Sequence, residues 1–208
     1  MEEGLARDSR QRMLLSAVEL FKRHGYNGTG FREVVAHSGA PRGSIYHHFP
    51  EGKAQLGSEA VAFAGEFSNA FIAQKLDRAD VVAGLESFWR AWTRAVEASD
   101  YQEGCPIVAV AAESHPEAPA LTAAAADVFD QWRATFAAAF RKAGLTSRQQ
   151  TQELATLVIA ALEGATVMSR AARNIQPLQR TGRQLARTLR ETLPTTQRQT
   201  ARRRARSD

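Results

Sequence analysis

Gly39-Ala40-Pro41-Arg42-Gly43-Ser44-Ile45-Tyr46-His47-His48-Phe49-Pro50-Glu51-Gly52-Lys53 is the stretch on which the fold turns. Gly39 is placed to end one helix and Ala40 to make a turn. Pro41 suits the first position of the next helix, where its missing N–H has no ladder partner to lose. That helix is expected over residues 41–48; Phe49 to Gly52 break it, and Lys53 opens another. Upstream, Met13, Ala17, Leu20, Phe21 and His24 recur on one helical face over residues 9–24. Gly25 follows as a left-handed cap, then the loop Tyr26-Asn27-Gly28. Thr29 is the expected N-cap of a second helix over residues 30–38, with Phe31, Val34 and Val35 inward. Arg32 would then occupy the place where Glu or Gln completes a capping box, so none is expected. Short helices meeting at a Gly-Ala-Pro turn read as a helix-turn-helix, a unit whose last helix fits the DNA major groove.

Downstream, long helical patterns continue with no persistent strand alternation and no fixed-period repeat. Helices are expected over residues 53–74, 81–98, 107–113, 117–143 and 147–172. Pro177 opens a last one before a polar, basic end after Pro194. The fold class is therefore all-α: a three-helix N-terminal domain over residues 1–52, a helical bundle over 53–193, and a basic, disordered tail over 194–208.

Composition narrows the function classes. No apolar run approaches the ~18 residues of a membrane span, and the first ten residues carry no signal core. The expectation is a cytoplasmic chain without a membrane. One cysteine, Cys105, excludes an internal disulfide and a Cys-rich zinc site. Residues 1–55 carry eight basic and six acidic side chains, residues 56–172 nine and fourteen, and residues 173–208 ten and two. Basic ends around an acidic middle suit a polyanionic partner, although Arg202, Arg203, Arg204 and Arg206 also read as a solvated tail. Catalytic signatures are missing. The glycines of residues 25–30 follow a helix rather than the strand a phosphate loop needs, and adjacent His47 and His48 diverge by ~100° on a helix. No enzyme activity, cofactor or metal is expected.

The stretch over residues 14–56 resembles the DNA-binding domain of the TetR family of bacterial regulators. Ala17, Glu19, Leu20, Phe21, Gly25, Tyr26, Thr29 and Val34 carry the resemblance. So, above all, do Gly39, the run from Arg42 to Phe49, and Lys53. Two departures stand out: Val35 replaces the usual Ala, and one extra residue precedes Lys53. Gly104-Cys105-Pro106 is similar to the LmrA/YxaF-like branch. The resemblance implies a dimer on palindromic double-stranded operator DNA, released by a small hydrophobic or aromatic effector. It implies phosphate contacts from Thr29, Tyr46 and Lys53, a close backbone approach at Gly43, a phosphate or base contact from Ser44, and His47 facing outward near the DNA. Arg42 is the candidate base reader, since its fork matches guanine O6 and N7, with a phosphate contact as the alternative. Ile45 and Phe49 read as core, Tyr46 has a core anchor as its alternative, and His48 reads as a structural hydrogen bonder.

Large rings crowd the second half. Phe67, Phe71, Phe88, Trp92, Phe129, Trp132 and Phe136, with Val108, are candidates to line an effector pocket, against the plainer reading of a bundle core. Glu113 and Glu163, set in apolar stretches, are candidates to orient an effector; the alternative is an exposed or Arg-capped carboxylate. Cys105 is either a sensor thiol or a small buried hydrophobe. Leu157, Ala161, Gly164, Ala165, Leu178, Leu185 and Leu189 suit an isologous four-helix dimer seam. The rival reading is a helical protein-binding adaptor, separable by the steep salt dependence of DNA binding.

Overall fold

The computed structural model describes residues 2–41, 43–113, 116 and 118–194, with side chains from residue 9 onward. Among these residues every regular element is a helix. They are α1 (Glu2–His24), α2 (Phe31–Ser38), α3 (Ser44–His48), α4 (Lys53–Leu76), α5 (Val81–Ala98), α6 (Pro106–Ala111), α7 (Pro119–Lys142), α8 (Arg148–Ala172) and α9 (Gln176–Thr192). The all-α expectation holds. Packing divides the chain into two compact units. Residues 1–68 and 102–128 form the first, and residues 69–101 and 129–208 the second.

In the first unit α1 begins at Glu2, seven residues earlier than expected. Met13, Leu14, Ala17, Leu20 and Phe21 bury its inner face, which carries α2, α3 and α6. Gly25 ends it at φ +74, a left-handed conformation that favours glycine. The start of α2 corrects the sequence reading. Thr29 is 1% exposed and its hydroxyl donates to the Gly25 carbonyl at 2.7 Å, so the N-cap is Gly30. That moves Glu33 into the third helical position, where its carboxylate accepts from the Gly30 N–H at 3.1 Å. The return half of a capping box is thus present. Glycine has no side chain to supply the other half.

α2 closes on Gly39 at φ +64. Ser38 fixes the turn that follows: its hydroxyl donates to Val35 O at 2.9 Å and accepts from Ala40 N–H at 3.3 Å. α3 is three residues shorter than expected. The Ser44 N–H and hydroxyl both donate to the Pro41 carbonyl, at 3.0 and 2.7 Å, so one tight turn precedes the helical ladder and Gly43 becomes the cap. Pro41 therefore stands before α3 rather than in it. Pro106 occupies the first turn of α6, where such a proline is well placed.

The second unit takes α4 from Asn69, α5, α7 from Phe129, α8 and α9. α5 covers the expected residues 81–98. Asp80 caps it, its Oδ1 accepting from the N–H groups of Val82 and Ala83 at 2.9 and 3.2 Å. Ser147 caps α8 through the Gln150 N–H at 3.2 Å. α9 lies on α8 and α5. Leu178, Leu185 and Leu189 are buried there, and the Trp89 indole N–H donates to Leu178 O at 2.7 Å.

α8 is the one described helix long and apolar enough to cross a membrane by length and composition alone. Packing accounts for that surplus. Ala155, Val158, Leu162 and Ala165 face the interior of the unit, whereas Leu157, Ala160, Gly164, Val167 and Met168 are exposed along a second apolar stripe.

Candidate functional site

α3 is a short helix held from beneath. Ile45 is 2% exposed and Phe49 wholly buried, and the Phe49 N–H donates to Ile45 O at 2.8 Å. These two anchors leave the rest of the helix outward: Tyr46 is 59% exposed, Gly43 and His47 are exposed, and Ser44 is half-buried. Tyr46 rests edge-on against the Phe31 ring of α2, with centroids 5.4 Å apart, which restricts the ring without covering it. Gly43 has φ −83, and a Cβ built there meets no atom within 4 Å. Neither its backbone nor its neighbours require glycine; its bareness is available to an incoming backbone.

His48 lies between His47 and Phe49, ring centroids 5.3 and 6.4 Å away. Burial, then the charges of His47 and Arg10, hold its imidazole below the ordinary histidine range and so toward the neutral form. The Arg10 guanidinium stands 5.2 Å over the Phe49 ring and pairs with Glu59. Glu59 in turn accepts from the Gln55 amide at 3.0 Å, and Gln55 accepts from the Glu51 N–H at 3.0 Å. This clamp at the α3–α4 junction escaped the sequence reading. The i, i+4 spacing of Glu51, Gln55 and Glu59 was its available signal; Arg10, 49 residues from Glu59, gave none.

Lys53 does not stand clear in solvent. Its Nζ is 4.3 Å from the Tyr26 ring centroid, and burial lowers its pKa from the ordinary lysine value, with Glu113 pulling the other way. Of the seven residues singled out for DNA, Gly43, Ser44, Tyr46 and His47 share α3 and its cap. Lys53 belongs to the Tyr26 loop region. Thr29 anchors that loop internally, with its hydroxyl withdrawn from solvent, and Arg42 lies outside the described residues.

Four candidate effector residues form a continuous ring cluster in the second unit. Phe88 is 6.0 Å from Phe71, 6.5 Å from Trp92 and 5.7 Å from Phe136. Phe129 and Trp132 make an edge-on pair at 5.6 Å. Phe88, Trp132 and Phe136 are buried and act as core, while Phe71, Trp92 and Phe129 retain exposure. Polar groups punctuate this region. The Trp92 indole donates to Thr166 Oγ1 at 2.9 Å, the Thr166 hydroxyl donates to Leu162 O at 2.8 Å, and the Thr135 hydroxyl donates to Asn69 Oδ1 at 2.6 Å. The sequence reading missed these three polar residues, whose only mark is a hydroxyl or amide inside an apolar face. Glu163 is buried on α8. Phe67, 62% exposed and edge-on to Phe63 at 4.9 Å, and Val108 on α6 belong to the first unit.

Of the residues expected at a dimer seam, Leu178, Leu185, Leu189 and Ala165 are buried within the chain, where α9 turns its leucine face onto α5 and α8. Leu157 and Gly164 are exposed and Ala161 half-buried.

Comparison with known proteins matches two family models to separate stretches of the chain. Residues 14–60 match the family model described as "Bacterial regulatory proteins, tetR family". Residues 81–184 match "Transcriptional regulator LmrA/YxaF-like, C-terminal domain". The HTH-type transcriptional regulator Rv0196 of Mycobacterium tuberculosis is 38% identical over 191 residues, 89% of this chain and 96% of that protein. The HTH-type transcriptional regulator LmrA of Bacillus subtilis is 34% identical over 172 residues, 82% of this chain and 91% of its own. In structure, the chain is similar to the TetR family regulator CifR, a cysteine mutant complexed with 26-bp operator DNA. The TM-score is 0.73 and the identity 20%, over 85% of this chain and 94% of that one.

Proposed function

The chain belongs to the TetR family of bacterial transcriptional regulators, and from that premise we propose that it is a repressor whose α3 reads a palindromic operator and whose helical bundle binds the releasing effector. One observation carries the reading: α3 is fixed from below by Ile45 and Phe49 while Gly43, Tyr46 and His47 stay uncovered. A helix locked in place with bare polar residues outward is what entry into a major groove requires. Residues 1–52 do the DNA work, residues 53–193 bind effector and partner, and residues 194–208 form a basic tail, of which 195–208 lie outside the described residues. The regulator acts in the cytoplasm, where its DNA is.

Two recognition helices are needed about 34–36 Å apart, one DNA turn, so the working unit is a homodimer. The exposed α8 stripe of Leu157, Ala160, Gly164, Val167 and Met168 supplies the apolar surface for it. The effector is a hydrophobic or aromatic molecule received beside Phe71, Trp92 and Phe129, the candidate rings of the second unit that are not sealed. α4 is one continuous helix leaving the DNA-binding domain at Lys53, and effector binding acts through it. The effector must favour the released state; a ~100-fold loss of operator affinity requires a coupling of about 2.7 kcal/mol.

The test is to select duplexes from a random-sequence pool, then screen hydrophobic and aromatic compounds for release of the selected duplex. The proposal expects a palindromic consensus, a steep fall in affinity with salt and release by at least one compound that also raises the melting temperature. A salt-insensitive protein with no consensus is the adaptor of the rival reading.

A further inference from the structure

Glu113, two residues beyond the end of α6, reaches back 86 residues in sequence to the loop between α1 and α2. Its Oε2 accepts from the Asn27 N–H at 2.7 Å. Its Oε1 lies where a Cβ on residue 25 would come, so a side chain there would displace this carboxylate as well as strain the left-handed φ of +74. The loop that this carboxylate seats is tightly built. Tyr26 is buried, its ring edge-on to Phe21 at 5.6 Å and in contact with the Lys53 ammonium. A Cβ on Gly57 of α4 would stand 2.7 Å from that same ring. The Thr29 N–H donates to Tyr26 O at 3.1 Å and its hydroxyl to Gly25 O. Gly30, the cap of α2, comes next.

The segment before Glu113 is fastened to the same end of α1. The Gly104 N–H donates to Lys22 O at 3.1 Å. The Arg23 guanidinium grips Glu103 Oε1 through Nε at 3.2 Å and Nη2 at 2.8 Å. Residues 103–113 are thus pinned to the α1 terminus at one end and to the α1–α2 loop at the other, all within one compact unit.

We propose that Glu113 is a positioning residue for operator binding: its carboxylate holds the α1–α2 loop and the Lys53 head in the arrangement from which α2 and α3 are presented to DNA. This replaces the sequence-based alternative of an effector-orienting carboxylate, and it rests on the DNA-binding reading above. The sign of its effect is diagnostic. Removing a negative charge from a DNA-binding protein ordinarily strengthens its grip on a polyanion. Removing a carboxylate that positions the reading helices weakens specific binding instead.

The experiment compares wild type, Glu113→Ala and Glu113→Gln as full-length chains. Fluorescence anisotropy on the selected operator and on a scrambled duplex gives the two affinities, and amide hydrogen exchange at Asn27 and Thr29 is read in the DNA-free protein. Glu113→Ala is expected to lose about tenfold in operator affinity, as loss of one charge-assisted hydrogen bond implies, with scrambled-duplex affinity unchanged or raised. Exchange at both amides should accelerate. Glu113→Gln, which keeps an acceptor for the Asn27 N–H without the charge, should recover part of both losses. Unchanged exchange overturns the proposal, as does an equal fall on both duplexes. If Glu113→Ala does not fold, Glu113→Gln carries the same comparison against wild type. A wild type without operator preference sinks the DNA-binding reading, and the exchange result still decides whether Glu113 holds the loop.

Discussion

Asp100 Oδ2 and Arg173 Nη2 meet at 2.6 Å, and both residues hold a left-handed backbone, at φ 52 and 46. With Tyr101 at φ 61 they are the three non-glycine residues of positive φ among those described. All three touch: the Arg173 guanidinium stands 6.0 Å from the Tyr101 ring, and Arg170 Nε donates to Tyr101 O at 3.3 Å. The pair joins the ends of α5 and α8. Being exposed, it contributes at most about 1 kcal/mol, so backbone preference outweighs charge here. Asp100→Asn, which tolerates the left-handed region, should change stability by less than about 1 kcal/mol in thermal or urea unfolding. Asp100→Val, a β-branched residue for which this φ is an outlier, should cost about 2 kcal/mol. Equal losses would make the ion pair, not the backbone, the determinant.

Gly182 of α9 lies against Trp89. A Cβ there would stand 2.8 Å from Trp89 Cγ and force the indole off its bond to Leu178 O. Gly182→Ala is expected to cost about 1–3 kcal/mol by overpacking, read as a lower unfolding midpoint. Gly43→Ala is the contrasting change, since nothing lies within 4 Å of its built Cβ. Stability should stay within about 0.5 kcal/mol, while operator affinity falls if the DNA backbone approaches there.

The two leucine faces of the second unit predict different failures. Leu178→Ala empties a wholly buried site and should destabilise the protomer by about 2–5 kcal/mol. Leu157→Asp with Met168→Asp places charge on the exposed α8 stripe. It should turn a dimer into a folded monomer, as light scattering coupled to size exclusion would report, with operator binding lost. A dimer that survives both aspartates means the seam is elsewhere.

His48 gives a pH signature. Its folded pKa lies below the unfolded value, so the unfolded chain takes up a proton more readily. The neutral histidine is compatible with the fold above about pH 6.5, and stability declines as pH falls below that, down to the folded pKa. Urea midpoints between pH 8 and 5.5 should drop less in His48→Gln than in wild type; identical profiles would exclude His48 as a source of the slope.

Much of this was legible in the sequence because local chemistry decides it. Gly39, Pro41 and the Ile45/Phe49 spacing locate a helix whose anchors are fixed by hydrophobicity alone, and periodicity places α5 over residues 81–98. Legibility failed where partners are distant or register shifts by one. Thr29 read as a cap until its hydroxyl went to Gly25 O, moving the cap to Gly30 and Glu33 into a bonding position. Leu178, Leu185 and Leu189 form an apolar face by periodicity, which does not say that α5 and α8 of the same chain pack against it. Glu113 and Asn27, 86 residues apart, carry no local sign of their bond.

The most direct test of the account is a mobility shift on the DNA immediately upstream of the protein's own gene and on a duplex pool of random sequence, each with excess nonspecific competitor. The account predicts a retarded species that resists competitor, holds two chains per site and disappears in Tyr46→Ala. Binding that competitor removes from every duplex alike, or that Tyr46→Ala leaves intact, would contradict the claim that α3 reads an operator.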